Sequence, residues 1–137
     1  LVQSERIFMQ KGKIIKDKLG SILVPQGFQL TVARQGWLTG WHYEKEDGDI
    51  KVRFDCQDSC SGSDGIIQAG FESNISLLST ENLFSIMHGN EDAFWWKYEN
   101  EEDWKACVED IRTGLQQYGM EILKRLSTPT PEFLEGI

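Results

Sequence analysis

The sequence predicts an α+β fold: an antiparallel sheet of about five strands, flanked by an N-terminal helix and a long C-terminal helix that pack on one face. Three observations predict it. Apolar residues fall at helical spacing near both ends of the chain, the stretch between them alternates apolar and polar residues with period two, and glycine-bearing separators break that stretch into strand-sized pieces.

From Ser4 to about Leu23 the apolar positions are Ile7, Phe8, Ile14, Ile15, Leu19, Ile22 and Leu23, with Lys11, Lys13, Lys16 and Lys18 between them. This is an amphipathic helix with a basic outer face. Pro25 and Gly27 end it, because proline disfavours helix in the residue before it and glycine tolerates the turn. Three alternating runs follow: Phe28, Leu30 and Val32; Trp37, Thr39, Trp41 and Tyr43; Ile50, Val52, Phe54 and Cys56. Arg34-Gln35-Gly36 and Asp47-Gly48 separate them with hairpin turn chemistry, so the runs form a meander. The polar stretch QDSCSGSDG reads as a loop leading to a fourth strand around Ile66 to Phe71.

Residues 74–88 fit two descriptions: a short helix capped by Ser79 or Thr80 and ended by Gly89, or a strand extension through Ile75 and Leu77. Phe94 to Tyr98 is aromatic enough for a fifth strand. Asn100, with Asp103 three residues on, resembles a capping arrangement, and Glu101, Glu102 and Asp103 suit the positive end of a helix dipole. The second helix then runs to Leu126 on a stripe of Trp104, Cys107, Val108, Ile111, Leu115, Tyr118, Ile122, Leu123 and Leu126. From Thr128 the tail, with Pro129 and Pro131, reads as extended.

Size and apolar content, 137 residues and 39% hydrophobic, suit one domain over residues 1–137. No apolar stretch approaches the roughly 20 residues that span a bilayer, and no secretory leader pattern opens the chain at Leu1, which predicts a cytoplasmic protein without a membrane partner. Cys56, Cys60 and Cys107 are an odd set, so reduced thiols are expected. The net charge is -8, spread unevenly: residues 1–34 carry six basic and two acidic groups, residues 44–64 three and seven, and residues 89–110 two and eight. Nucleic acid is a poor partner for such acidic segments, because phosphate binding depends on cations. A basic protein is a better one.

Sites of chemistry are sparse. Cys56 and Cys60 near His42 and Asp58 lack the second cysteine pair that a structural zinc wants, and the aspartates of Asp55 to Gly65 lack the calcium-loop register. No metal and no cofactor are expected. Nucleophilic catalysis would need His42 or His88 beside a cysteine or serine, yet neither sits in a nucleophile elbow and no phosphate-binding glycine loop occurs. His42 has the opposite parity to Trp41 and Tyr43, and so a different face. Trp37 and Trp41 share a face by the same count. Trp95 and Trp96 are adjacent, so in a strand they point opposite ways and at least one is partly exposed.

The order of a first helix ending in PQGF, a hairpin meander, an aromatic WWKY strand and the helix NEEDWKACVEDIRTGLQQYGMEIL resembles small bacterial α+β families of unknown function. Several of these look like immunity proteins of polymorphic toxin systems. The resemblance covers about Lys13 to Leu126 and implies binding: a small acidic cytoplasmic partner covering a basic toxin domain. With the charge pattern, it predicts a non-enzymatic inhibitor whose contact residues are Glu91, Asp92, Trp95, Trp96, Glu99, Glu101, Glu102 and Glu109. The alternative is a small-ligand domain or enzyme with a helix–sheet cleft built on His42, Cys56 and Asp55.

Overall fold

The structure is a computed structural model that describes residues 10–62, 64–75, 80–89, 94–129, 131 and 134. Its sheet has strands β1 (Gln29–Gln35), β2 (Leu38–Asp47), β3 (Ile50–Ser61), β4 (Asp64–Ser73), β5 (Thr80–Asn82) and β6 (Trp96–Tyr98). The path β1-β2-β3-β4-β5 is antiparallel throughout, and β6 also pairs antiparallel with β4, so the two three-residue strands share one edge of β4. The sheet is thus the predicted meander with β5 added to it.

Each long hairpin closes on two residues, the first a glycine: Gly36 joins β1 to β2, Gly48 joins β2 to β3, and Gly62 joins β3 to β4, with φ of 62°, 63° and 70°. A positive φ at the first central position is the hairpin turn whose twist matches that of the strands, and only glycine takes it at no steric cost. The third turn corrects the reading of QDSCSGSDG as a loop. Period two continues through it, with Cys56 and Asp58 facing the core and Cys60 half-buried near the turn. Trp37 is corrected as well. It is the second turn residue, 74% exposed, and does not share the buried face of Trp41.

Among the described residues, the two long helices pack on one face of the sheet. Helix α1 (10–26) and helix α3 (101–126) lie on the side of Trp41, Tyr43, Phe54, Ile67 and Phe71, and the buried apolar side chains form one cluster. The start of α1 predicted at Ser4, with Ile7 and Phe8, lies outside the described residues; its end is as expected, a tight turn Val24–Gln26 stopped by Gly27 at φ 97°. Both helices contain a widened π-turn, Lys16–Gly20 and Leu115–Gly119. The first is braced from α3, since Arg112 Nη1 donates to the Lys18 carbonyl at 2.9 Å. The second changes the buried stripe. An extra residue per turn brings Gly119 under the helix and rotates Tyr118 outward to 42% exposure, while the other eight predicted stripe residues are buried.

Residues 80–88 hold the predicted short helix, α2 (Leu83–His88), preceded by β5, a strand the sequence does not signal; β4 ends at Ser73, so no strand extends to Ile75, and Leu77 lies outside the described residues. Its cap is Asn82 rather than Ser79 or Thr80: Asn82 Oδ1 accepts from Ser85 N at 2.9 Å. At the start of α3 the expected cap is present, Asn100 Oδ1 accepting from Asp103 N at 2.9 Å while Asp103 Oδ2 accepts from Glu99 N at 3.2 Å. Replacing Asn100 by alanine is expected to cost about 1 kcal/mol in urea unfolding, with little change in the cooperativity of the transition. The tail expected to be extended lies largely outside the described residues, but its described residues Pro131 and Leu134 are helical, which corrects that expectation there.

One charged pair is built into the core. Asp58, 3% exposed, accepts from Lys11 Nζ at 2.7 Å and from Tyr98 Oη at 2.5 Å. The same ammonium lies 5.1 Å from the centroid of the Tyr98 ring and 5.4 Å from that of Trp104. A carboxylate in an apolar layer persists only when paired and hydrogen-bonded. Here the pairing joins α1, β3 and β6.

Candidate partner-binding surface

The predicted contact residues separate into groups. Trp96 is 6% exposed and donates its Nε1–H to Asp110 Oδ2 at 2.8 Å, so its ring belongs to the core and cannot meet a partner. Trp95 is half-buried, its ring edge-on to Phe94 with centroids 4.7 Å apart. The adjacent tryptophans therefore do part company, although the strand begins only at Trp96. Glu91 and Asp92 lie outside the described residues.

The remaining carboxylates are exposed but not alone. Glu101 and Glu102 face Lys105 Nζ at 3.6 and 3.8 Å, and Glu109 meets Lys18 of α1 at 2.5 Å. Glu99 is exposed beside the cap. Pairs as exposed as these contribute little to stability and leave most of the field in solvent. Asp110 serves the core instead, since it accepts from Trp96 Nε1 and lies 2.7 Å from His88 Nε2, while Phe84 packs edge-on to Trp96 and tilted against His88, its centroid 5.0 Å from each. That cluster fixes α2 to α3.

What sequence reasoning missed is the other face of the sheet. Gln57, Gln68, Arg53, Asp55, Glu44 and Glu72 project from it by strand alternation, and neither long helix covers it. Three depressions lie along this face. One of about 710 Å³ runs past Trp37, Ser59, Ile66 and Lys97; one of about 500 Å³ past Asp55, Gln57, Gln68 and Phe94; one of about 680 Å³ past Glu44, Glu46, Arg53 and Glu72. Exposed aromatics flank them, Trp37 at 74% and Phe94 at 48%. The charge here is unbalanced around one cation. Arg53 lies 2.8 Å from Asp55, 3.1 Å from Glu72 and 3.6 Å from Glu44, so three carboxylates share a single guanidinium.

His42 and Asp55, two members of the alternative cleft, are brought together on this face, Nδ1 against Oδ1. Cys56 is not. It points to the opposite face, is fully buried, and burial among apolar neighbours pushes its thiol pKa far up. A cleft in which Cys56 works with His42 is therefore not what the fold builds. Among the described residues no group of three or more His, Cys, Asp or Glu side chains is placed to hold a metal ion.

All three cysteines are free thiols. Burial raises Cys107 from 9.0 to about 11, and it raises the Tyr43 hydroxyl from 10.0 to about 12. Since these folded-state pKa values lie above the unfolded ones, stability is intact below about pH 9 and falls as pH rises from there, where the unfolded chain sheds protons the native state retains. Thermal midpoints across neutral and alkaline pH are expected to show that decline. At neutral pH a thiol reagent should label Cys60 rapidly, and Cys56 and Cys107 only on unfolding; rapid labelling of Cys56 would contradict the buried placement.

No helix among the described residues is long and apolar enough to cross a membrane. Comparison with protein-family models, with curated proteins and with solved structures finds no match to this chain.

Proposed function

We propose that this chain is a non-enzymatic binding protein whose acidic surface covers a basic protein, in the manner of an immunity or inhibitor protein. The observation that carries the reading is the helix-free face of the sheet, where carboxylates outnumber cations around Arg53 and exposed Trp37 and Phe94 flank the depressions. Apolar anchors inside a charged rim are the anatomy of a protein interface. The acidic start of α3 and the segment from Glu91 add to the negative field that would draw a cationic partner.

The division of labour is physical. Long-range charge acts on the encounter rate and on orientation, whereas desolvated aromatic side chains set the lifetime of the complex. Compared with the sequence reading, the contact set moves: Trp37, Phe94 and Trp95 replace the Trp95–Trp96 pair as anchors, and Glu44, Glu72 and Asp55 join the acidic residues.

The test is affinity capture from the native host, followed by binding measurements with the purified captured protein. The expected partner is basic, binds with fixed stoichiometry and associates more slowly as salt rises. Trp37→Ala should weaken the complex about 30-fold, as an interface anchor does, while the thermal midpoint stays within error because the side chain is mostly in solvent. An affinity indifferent to both salt and Trp37→Ala would reject this function.

A further inference from the structure

The two edges of the sheet are finished differently. At the β4 edge, β5 and β6 are each three residues long, and short edge strands are one way in which proteins blunt pairing with other chains. At the other edge, β1 pairs with β2 alone among the described strands, is seven residues long, and is exposed at every position except half-buried Leu30. Its sequence, QLTVARQ, contains no proline, no glycine and no carboxylate.

We propose that β1 pairs antiparallel with β1 of a second copy of this chain, about a two-fold axis at Val32. Backbone geometry supports it first. The two-residue turn makes Gln35 and Leu38 a hydrogen-bonded pair, and alternation then assigns Ala33, Thr31 and Gln29 inward to β2 and turns the N–H and C=O of Leu30, Val32 and Arg34 outward. A two-fold at Val32 sets Val32 against Val32 and Leu30 against Arg34 of the other copy, so outward groups face outward groups along the whole strand.

Charge supports the choice of occupant. The chain carries a net charge of -8, so two copies repel one another wherever carboxylates meet, and β1 is a line without any. In the proposed register no like charges are directly opposed, since Arg34 meets Leu30. In this register the end glutamines meet Gln35 and Gln29 of the other copy and Thr31 meets Ala33, so the strand sets no bulky pair against itself beside the Val32 axis. This edge is distinct from the helix-free face, so the inference does not rest on the partner proposed above.

Sedimentation of the wild-type chain over a concentration series should show a monomer–dimer equilibrium. Val32→Lys and Val32→Glu place like charges opposite each other across the axis, and each alone should weaken dimerisation by about 10-fold or more, with a thermal midpoint like that of the wild type. Mixing the two variants should restore a heterodimer, which only a self-facing position 32 can do. Val32→Pro is the second route, because the N–H it removes points away from β2; it should abolish the dimer and leave the sheet intact. A wild-type chain that stays monomeric, charge variants that still dimerise, or a mixture that fails to associate would each overturn the proposal.

Discussion

Lys11→Ala is expected to destabilise the protein by about 3–5 kcal/mol, because it leaves Asp58 as an unpaired charge in the core. The lost contacts are the 2.7 Å ion pair and the approach of the ammonium to the Tyr98 and Trp104 rings. The substitution also releases α1 from β3, so the unfolding transition should move to lower urea. Combining Lys11→Met with Asp58→Asn should recover a large part of the loss, since the pair is worth much less than the cost of breaking one side of it. Equal losses in the single and double variants would show that Asp58 does not depend on Lys11.

Gly65→Ala should cost about 3 kcal/mol, the upper end of what overpacking does, although only one methyl is added. A Cβ at Gly65 would collide with the Ser59 carbonyl oxygen and lie 2.6 Å from Tyr98 Oη and 2.8 Å from Cys60 Cα. Two of those three atoms are backbone of the neighbouring strand and cannot rotate away. The third is the hydroxyl that holds Asp58, so the hairpin end and the core pair are disturbed together. Gly48→Ala is the control. It meets nothing within 4 Å and has only its φ of 63° to lose, so about 1 kcal/mol is expected. If both variants melt at the same temperature, close packing at Gly65 is not the reason for glycine there.

Local requirements are legible in this sequence, and requirements set by distant segments are not. Gly36 and Gly48 were legible as turns because the φ they supply is a local requirement, and the Asn100 cap was legible for the same reason. Asp58 was not. It occupies an apolar slot in an alternating strand, and what licenses it there is Lys11, 47 positions away. QDSCSGSDG reads as a loop because its composition outweighs its periodicity, and helical counting puts Tyr118 inside because it assumes a constant turn, which Leu115–Gly119 breaks. On the candidate surface, parity foresaw that Trp95 and Trp96 would separate. It could not foresee that Glu109 has Lys18 for a neighbour or that both long helices pack on the same face of the sheet, since both are facts of packing between distant segments.

The meander has a kinetic meaning. Each of its first four strands meets its successor across a short connection, and the three long hairpins close over two-residue turns at little entropic cost. The helices are joined over far longer distances: Ser73 to the Leu126 carbonyl across 53 residues and Arg112 to the Lys18 carbonyl across 94. Topologies rich in local contacts fold fast, and those that wait for remote ones fold slowly. Sequence separation therefore predicts an order in which the hairpins form early and the closure of α1 and α3, which seals Asp58 from water, comes late.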